Sequence, residues 1–532
     1  MWGRSILAIS LLWSTALATQ KVLSGDRLGP LDAKFEELAI QALEEWHVPG
    51  LAIAVVDGDD TWSAGYGNAT LPSTPVTPST LFYAGSTTKA FTASIVSLLI
   101  DSGSYPGLSW RTPISHLIRD DFVLLPEYAW AQDHLTLEDA LSHRTGFPRH
   151  DKALASHYGP DNHQATPRDF ARSLRHLPMT SEPRTDYRYC NMMFIVVAHV
   201  IQTLTQTWLG TLLRERIWTP LGMNGTYFSL EDALAGPEHL AGGYYWEYGV
   251  RGGGFKQVPF MGLQEASGAG AVVSNVLDYA KWLRCLINGA APLSKEGHRA
   301  LKTPRIVPAG GTGYDREMAY ALGWYANTYR GHKVFTHSGG MEAYGADVWF
   351  FPDLKYGIVA MGNTAITSNF VGRTLAWRLI NDKLGVPESE RFDWHSQFEK
   401  ALDNTMKKYD TAVQDLYPNR SDPPLSRALP LKEYTGTYFH PAYRNITIEY
   451  SDAAEQLRAV REDFAWKMVF DFVHVSGEYW IIYIDMKESP NLLNGQLGKA
   501  EFEIGSNGKV SGLVAEFLED GSEGIITFER IA

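Results

Sequence analysis

The sequence predicts an α/β domain, in which one sheet is flanked by helices, followed by a separate antiparallel β domain. Three patterns lead to this prediction. Helix and strand patterns occur together near residues 33–70 and again near 331–383, and the region between them is mostly helices and loops. After a Pro-rich boundary, short strands are separated by Gly, Asn and Asp. We therefore expect both ends of residues 30–385 to contribute to one sheet.

The first elements of the α/β domain are a helix and a hairpin. Residues 33–47 have the apolar period of a helix, and a Pro-Gly pair then leads into two β-rich runs around an Asp-Gly turn. In residues 86–101 apolar positions recur at i, i+4, i+7 and i+8, and Gly103 follows as a stop signal. This pattern places Ser86 at the start of a helix.

The remaining elements follow from the same signals. We expect helices near 136–142, 191–206, 274–288 and 368–383, and strands within 331–362. Residues 386–425 are predicted to be a helical linker that ends in the Pro-rich run "NRSDPPLSRALP". Segments such as "NITIEYS" and "EYWIIYI" predict a small β-barrel over residues 426–532. The chemistry is expected to lie before this barrel.

The N-terminus has the pattern of an export signal. A basic residue, an apolar run and an Ala-Leu-Ala cleavage pattern predict a signal peptide over residues 1–18. No later segment reaches about 18 uninterrupted apolar residues, so no membrane anchor is expected. Four N-x-S/T triplets are candidate glycosylation sites, at Asn68, Asn224, Asn419 and Asn445. We expect a secreted glycoprotein.

Composition argues against several classes of function. The formal net charge is −13, and no Lys/Arg cluster indicates a nucleic-acid groove. Cys190 and Cys285 are the only cysteines, so at most one disulfide can form. The chain has no H-E-x-x-H motif, no P-loop and no Cys/His cluster with ligand spacing. Neither a metal nor a cofactor is expected.

A serine and a lysine stand one helical turn apart in "YAGSTTKAF", residues 83–91. Three residues advance about 300° and roughly 4.5 Å along a helix, so Ser86 and Lys89 share a face. An S-x-x-K spacing is weak alone, because Ser506 and Lys509 repeat it in a turn. The first copy differs because it begins an apolar helix that can be buried. Burial there would lower the pKa of the lysine and make it a base.

Two further motifs follow in a definite order. Tyr189-Cys190-Asn191 comes after the start of the helical middle region, and "HSGG", residues 337–340, ends a predicted strand. A Ser-Lys helix, then Tyr-x-Asn, then a His/Lys-x-Gly strand resembles the serine β-lactamase and penicillin-recognising enzyme family. Phrases such as "LTLEDALSHRTGFP" and "WTPLGMNGTYFS" extend the resemblance over residues 34 to about 385. The C-terminal segment is similar to the lipocalin-like module at the end of many secreted members, which are esterases and peptidases related to class C.

The resemblance implies a fold and a set of roles. The fold would be an antiparallel sheet flanked by helices, with a helical subdomain. Ser86 would be the nucleophile that attacks an ester or amide carbonyl, and Lys89 would take its proton. Tyr189 would pass that proton to the leaving group, its phenol acidified by Lys89, and Asn191 would orient the lysine and bind the acyl part. Backbone N–H groups of Ser86 and Gly340 would form the oxyanion hole.

One departure from the family narrows the substrate. Many members have Lys where this chain has His337, and a mostly neutral imidazole attracts a substrate carboxylate less strongly. This favours an ester, lactone or small amide, in a small molecule or short peptide, over a penicillin. Cys190 is interpreted as a small buried residue, because nothing nearby argues for a thiolate.

Three alternatives remain open at this level. In an α/β-hydrolase, Ser338 would be the nucleophile in "THSGG", although Thr336 stands where the nucleophile elbow needs glycine. The domain could also bind an acylated ligand without turnover, although a binding role would not need Ser86, Lys89, Tyr189 and Asn191 together. Finally, an acyl-enzyme on Ser86 serves acyl transfer as well as hydrolysis.

Overall fold

The computed structural model describes residues 29–247, 253–310, 314–315, 317–452, 455–491, 493 and 495–532. The predicted signal peptide, residues 1–18, lies outside the described residues.

Strands from both ends of the first domain form one antiparallel sheet. Within the described residues it has eight strands: β1 (Gly50–Asp57), β2 (Asp60–Thr70), β3 (Thr74–Pro75), β4 (Ala319–Tyr320), β5 (Tyr325–Tyr329), β6 (His332–Met341), β7 (Tyr344–Phe351) and β8 (Tyr356–Gly362). Their spatial order is β4-β5-β6-β7-β8-β1-β2-β3. The register joins Leu51 to Gly362, which confirms that the two chain ends share one sheet.

Helices cover both faces of the sheet. The longer ones are α1 (Ala33–Glu45), α2 (Thr88–Asp101), α3 (Asn191–Thr205), α4 (Val276–Asn288), α5 (Thr367–Lys383) and α6 (Trp394–Asp410). Strand β1 is apolar throughout because its alternate residues face opposite cores. Leu51, Ile53 and Val55 pack with α1 and α5, whereas Ala52 and Ala54 pack with α2, α3 and α4.

The region between β3 and β4 contains the other small elements. Its shorter helices are Ala129–His134, Leu137–Leu141, Pro167–Ser173, Leu209–Leu213, Thr219–Leu221, Leu230–Ala235, Ser267–Gly270 and Lys295–Lys302. Two-stranded sheets join Phe82–Tyr83 to Val273–Ser274, His157–Tyr158 to His163–Gln164, and Gly243–Glu247 to Gly254–Val258. Helix α4 begins after Asn275, whose side chain accepts a hydrogen bond from Asp278 N.

The C-terminal region is a closed antiparallel barrel. Its strands are β9 (Gly436–His440), β10 (Arg444–Ser451), β11 (Gln456–Arg461), β12 (Met468–Ser476), β13 (Tyr479–Met486), β14 (Gln496–Ile504), β15 (Val510–Phe517) and β16 (Ile525–Arg530). Pairing of β9 with β16, Tyr438 opposite Arg530, closes the barrel. Helix α6 and the short helix Ala412–Leu416 precede it. The predicted separate β-barrel is confirmed.

In the described part of the chain, no single helix is long and apolar enough to cross a membrane. The helices Asn191–Thr205 and Leu209–Leu221 pass that test only as a pair bent by 81°. Residues Asn191 to Ile201 of this pair are buried in the protein core.

Candidate active site

Ser86 lies in the turn that begins the helix of Lys89. A 3-10 turn, Gly85–Thr87, leads directly into α2. Lys89 Nζ donates a hydrogen bond to Ser86 Oγ at 3.0 Å. The one-turn spacing of the two residues therefore brings the hydroxyl and the amine into contact, as the helical geometry requires.

The Lys89 amine is sealed from solvent. Nζ also donates to Asn191 Oδ1 at 2.6 Å and to the Ala269 carbonyl at 2.9 Å, and the residue is 0% exposed. Burial lowers the pKa of Lys89 well below its usual value, and the neighbouring Arg149 charge acts in the same direction. An amine whose charged form is disfavoured by burial, at this distance, is suited to accept the proton of the Ser86 hydroxyl.

Tyr189 makes the second contact to the hydroxyl, with its Oη 2.8 Å from Ser86 Oγ. Burial raises the pKa of Tyr189 above its usual value. The expectation that Lys89 acidifies this phenol is therefore wrong, because the effect of burial outweighs that of the nearby positive charges. The positive charge that lowers the Tyr189 pKa comes from Arg149, whose guanidinium carbon lies 4.6 Å from the ring centroid.

Asn191, the first residue of α3, links Lys89 to a carboxylate. Its Oδ1 faces the lysine, and its Nδ2 donates to Asp151 Oδ2 at 2.8 Å. Burial raises the pKa of Asp151 to about 6, against the opposing charge of Arg149. Sequence reasoning missed Asp151, since "RHDK" has no recognisable motif and lies 40 residues from the amide it orients.

His337 is a packed, neutral side chain beside this group. It is 2% exposed, its Nε2 lies 3.0 Å from Tyr320 Oη, and its Nδ1 lies 2.6 Å from the Ser338 carbonyl. Burial, followed by the charge effect of Lys89, lowers the pKa of His337 to about 3. The imidazole is therefore neutral at pH 7, and it provides no cation for a substrate carboxylate.

The backbones of the serine turn and β6 approach each other closely. Gly85 has φ +52°, and a Cβ there would lie 2.7 Å from Gly340 N. A Cβ on Gly339 would lie 2.0 Å from the Ala84 carbonyl and 3.3 Å from Ser86 N. The glycines thus let the N–H groups of Ser86 and Gly340 stand on either side of a narrow gap. A Cβ on Gly340 would meet nothing within 4 Å, so open space adjoins this gap.

That open space is a cleft of about 600 Å³ between the sheet domain and the barrel. Ser86, Tyr189, Asn191, His337 and Gly340 line it. The barrel contributes Trp466, Met468, Met486, Gln496, Glu519 and Asp520. The side chains predicted to carry the chemistry all lie before the barrel, and barrel side chains form one wall of the cleft beside them.

Ser338 does not occupy a nucleophile elbow. It lies inside β6, which turns into another strand, β7, whereas the elbow needs a helix immediately after the serine. The α/β-hydrolase interpretation is therefore wrong, and the glycine-rich run serves as a strand edge.

The other predicted residues lie away from the cleft. Asn224, Asn419 and Asn445 are exposed, whereas Asn68 in β2 is half-buried. Cys190 and Cys285 are both buried and free. Burial raises the pKa of the Cys190 thiol to about 12, in keeping with its interpretation as a small packed residue.

Comparisons with known proteins cover both parts of the chain. The profile of the beta-lactamase family matches residues 35–381, and a profile described as a domain of unknown function (DUF3471) matches residues 420–530. An unguisins hydrolase of Aspergillus campestris (strain IBT 28561) is 43% identical over 491 residues, 92% of this chain and 89% of the relative. A second unguisins hydrolase, of Aspergillus violaceofuscus (strain CBS 115571), is 42% identical over 473 residues, 85% and 82% of the two chains.

A solved structure resembles the whole arrangement. The octameric penicillin-binding protein homologue from Pyrococcus abyssi matches with a TM-score of 0.58 over 93% of this chain and 99% of that one. Its sequence is 19% identical, so the likeness concerns the fold alone.

Proposed function

Because the chain belongs to the beta-lactamase family and is a hydrolase of that family, we propose that it cleaves an ester, lactone or amide bond through an acyl-enzyme on Ser86. One observation carries this proposal. Ser86 Oγ lies 3.0 Å from Lys89 Nζ and 2.8 Å from Tyr189 Oη, at the edge of an open cleft. A hydroxyl placed between a buried amine of lowered pKa and a phenol is arranged for activation and proton transfer.

The proposed reaction has two halves. In the first, Ser86 Oγ bonds to the carbonyl carbon while Lys89 accepts the hydroxyl proton. The oxyanion is held by the N–H groups of Ser86 and Gly340, an interaction typically worth about 3 kcal/mol. The bond to the leaving group breaks as Tyr189 donates its proton, and Lys89 returns a proton to Tyr189. In the second half water attacks the acyl carbon and the same side chains remove its proton. The bond between the acyl carbon and Ser86 Oγ then breaks, and the proton passes to Oγ, which restores the hydroxyl.

We propose an unguisin, or a molecule of the same class, as the substrate. Two relatives more than 40% identical over most of the chain are named unguisins hydrolases. A short peptide backbone suits the strand edge beside the nucleophile. Strand β5 pairs with β6 only as far as Thr336, so within the described residues His337–Met341 lacks a strand partner on that side. Such an edge can accept an extended peptide through main-chain hydrogen bonds.

We also propose that the protein is secreted and glycosylated. Support comes from the N-terminal pattern and from the exposure of Asn224, Asn419 and Asn445. The N-terminal sequence and the mass of the protein recovered from culture medium, before and after enzymatic removal of N-glycans, test this proposal.

Intact mass tests the nucleophile. Wild type, Ser86→Ala and Ser338→Ala are incubated with a fluorophosphonate and, separately, with a penicillin. We expect a single fluorophosphonate adduct in wild type and in Ser338→Ala, which lines the same cleft, and none in Ser86→Ala. Reaction with the penicillin as well would widen the substrate class to carboxylate-bearing amides. An adduct that persists in Ser86→Ala would contradict the proposal.

Turnover tests the reaction. Wild type is expected to convert unguisins to the hydrolysed product, and Ser86→Ala to lose at least about 10³-fold in rate. Mass analysis with an added alcohol or amine separates hydrolysis from acyl transfer, since only transfer places the acyl group on the additive. Binding of an unguisin by wild type without turnover would instead support a non-catalytic role.

A further inference from the structure

Four potentially cationic side chains lie close to the Tyr189 ring. The Lys89 amine is 4.9 Å from the ring centroid, and the imidazoles of His143 and His337 are 4.1 and 6.4 Å away, centroid to centroid. Burial lowers the pKa of all three groups, which disfavours the charged form of each in the resting enzyme. The fourth is Arg149, whose pKa is raised by the surrounding carboxylates and which stays charged.

The geometry of Arg149 is fixed from two directions. Its guanidinium carbon lies over the Tyr189 ring at 4.6 Å. Its NH1 lies 3.1 Å from Asp151 Oδ2, and its Nε donates to Asp520 Oδ2 at 2.6 Å and lies 3.5 Å from Glu519 Oε1. One carboxylate thus comes from the sheet domain and two come from the barrel. The side chain is 26% exposed and faces the cleft.

The barrel carboxylates are themselves held in place. Glu519 also accepts from Lys152 Nζ at 3.1 Å, and the same ammonium donates to Glu523 at 2.5 Å. Glu523 accepts in turn from Tyr443 Oη at 2.7 Å. The side chains of Lys152 and Glu523 are both fully buried, so this ion pair anchors the segment that carries Arg149 and Asp151 against the end of the barrel.

We propose that Arg149 is a positioning residue of the active site, which the barrel holds against the Tyr189 ring so that its charge stabilises the phenolate formed during acylation. The inference rests on the proposed function. In the step concerned, the phenol O–H bond breaks and its proton passes to the leaving-group atom as the carbonyl-to-leaving-group bond breaks. The negative charge on Tyr189 Oη lasts until Lys89 returns a proton. A fixed cation over the ring favours that charged state. Lys89, which holds the serine proton at this stage, lies 4.9 Å from the ring, and Arg149 adds a second charge that does not depend on that proton.

This role predicts a dependence on the leaving group. A good leaving group departs from the ester without a proton, whereas a poor leaving group needs the proton of Tyr189. The probes are substituted phenyl butyrates, from p-nitrophenyl to p-methoxyphenyl, which share one acyl group. The value of kcat/KM, which reports acylation, is measured for wild type, Arg149→Gln, Arg149→Lys and Asp520→Asn.

We expect Arg149→Gln to lose at least about tenfold more kcat/KM on the p-methoxyphenyl ester than on the p-nitrophenyl ester. Arg149→Lys, which keeps the charge, should recover part of that difference. Asp520→Asn should show the same, weaker increase in the dependence of kcat/KM on the leaving group. Because the Asp520 side chain is 59% exposed, this substitution should leave the protein folded. Arg330→Gln is the matched control, because Arg330 also pairs with a carboxylate, Glu390, and lies over a tyrosine ring outside the cleft.

Two results would overturn the inference. If Arg149→Gln loses the same factor in kcat/KM on every ester, the residue only supports the fold. If kcat/KM is unchanged on every ester, the residue supports neither the fold nor the proton transfer. If Arg149→Gln does not fold, an unchanged slope in Asp520→Asn and Arg149→Lys overturns it. Failure of the proposed function looks different, since wild type would then neither hydrolyse any ester of the series nor take up fluorophosphonate at Ser86.

Discussion

Beside the cleft and at the centre of the barrel the side chains are buried, but the two regions are filled with different kinds of residue. Inside the barrel, Phe502 packs against the rings of Tyr434, Tyr438, Phe472 and Trp480, at centroid distances of 5.1 to 6.0 Å. An eight-stranded barrel is just wide enough to be filled by such side chains. Aromatic burial of this kind stabilises a fold, and it leaves no reactive group.

Beside the cleft the buried side chains are polar and hydrogen-bonded in a chain. Ser86, Lys89, Asn191 and Asp151 follow one another at 2.6 to 3.0 Å. Burying such groups costs stability, and it shifts their pKa values in the direction that acid–base chemistry needs. The interior of the barrel therefore stabilises the protein, whereas only one end of the barrel supports the site, through Glu519, Asp520 and Glu523.

Among the substitutions considered, Lys89→Met in the polar chain beside the cleft should have the largest effect on activity. The side chain keeps its length but loses the amine, so we expect kcat to fall by at least about 10³-fold on any hydrolysed ester. The free energy of unfolding should change by less than about 2 kcal/mol, because a buried amine is removed together with its hydrogen bonds. Steady-state kinetics and urea unfolding measure the two effects.

The matched control is Lys281→Met, since Lys281 makes a comparable i,i+3 pair with Asp278 on α4 and its side chain is 44% exposed. It should keep wild-type kcat. A Lys89→Met enzyme with more than about a tenth of wild-type activity would mean that another group accepts the serine proton.

The sequence was sufficient to predict the polar chain only where its members share an element or a motif. One helical turn brings Ser86 and Lys89 together. The family resemblance pointed to Asn191 and Gly340, and both line the same cleft as Ser86. Arg149 and Asp520 could not be found in this way, because they meet across 371 residues and neither has a motif. An acidic turn such as "LEDGSE" has the composition of an ordinary surface loop until the barrel end is placed on the cleft.

In the fold, too, local features were predictable from the sequence and contacts between distant residues were not. Runs of strand-forming residues bounded by Gly, Asn and Asp predicted the strands and the barrel, because these local signals need no knowledge of distant contacts. The contact between barrel and sheet domain depends on buried ion pairs such as Lys152 with Glu523, and charged residues read from sequence alone are usually placed on the surface.

Phe502→Ala tests the aromatic side of the comparison. Removing a fully buried ring from a packed barrel should lower the free energy of unfolding by about 3 to 5 kcal/mol. Fluorophosphonate labelling of Ser86 should remain at wild-type rate at a temperature where the variant is folded, because the ring packs against barrel aromatic residues that do not line the cleft. Chemical unfolding and labelling rate are the two measurements.

Val460→Ala is the control, since Val460 is 44% exposed on the outside of β11 and should cost less than about 0.5 kcal/mol. If Phe502→Ala slows labelling as much as it destabilises the fold, the barrel interior and the active site are coupled, and the division between them is wrong.

Glu342 gives the smallest effect, and it lies where the two regions meet. It follows β6 in the turn to β7, is 7% exposed, and its Oε1 has no hydrogen-bond partner among the described residues. Burial, and then the charge of Glu488 on the barrel side, raises the pKa of Glu342 from 4.5 to about 7, while Lys467 opposes the shift. The folded protein therefore favours the protonated carboxyl.

A carboxyl whose pKa is raised by folding supports the fold fully below its unfolded pKa, and that support is lost as the pH rises through about 7. Wild type should thus lose about 3 kcal/mol between pH 4.5 and pH 8 through this group, whereas Glu342→Gln should not. Relative to wild type, the variant should gain stability over that interval in urea unfolding. Glu488→Gln removes the negative charge that raises the Glu342 pKa, so this variant should lose less stability than wild type over the same pH interval. If Glu342→Gln and wild type change in parallel with pH, the carboxyl is ionised in the folded protein, and the contact between barrel and sheet domain tolerates its charge.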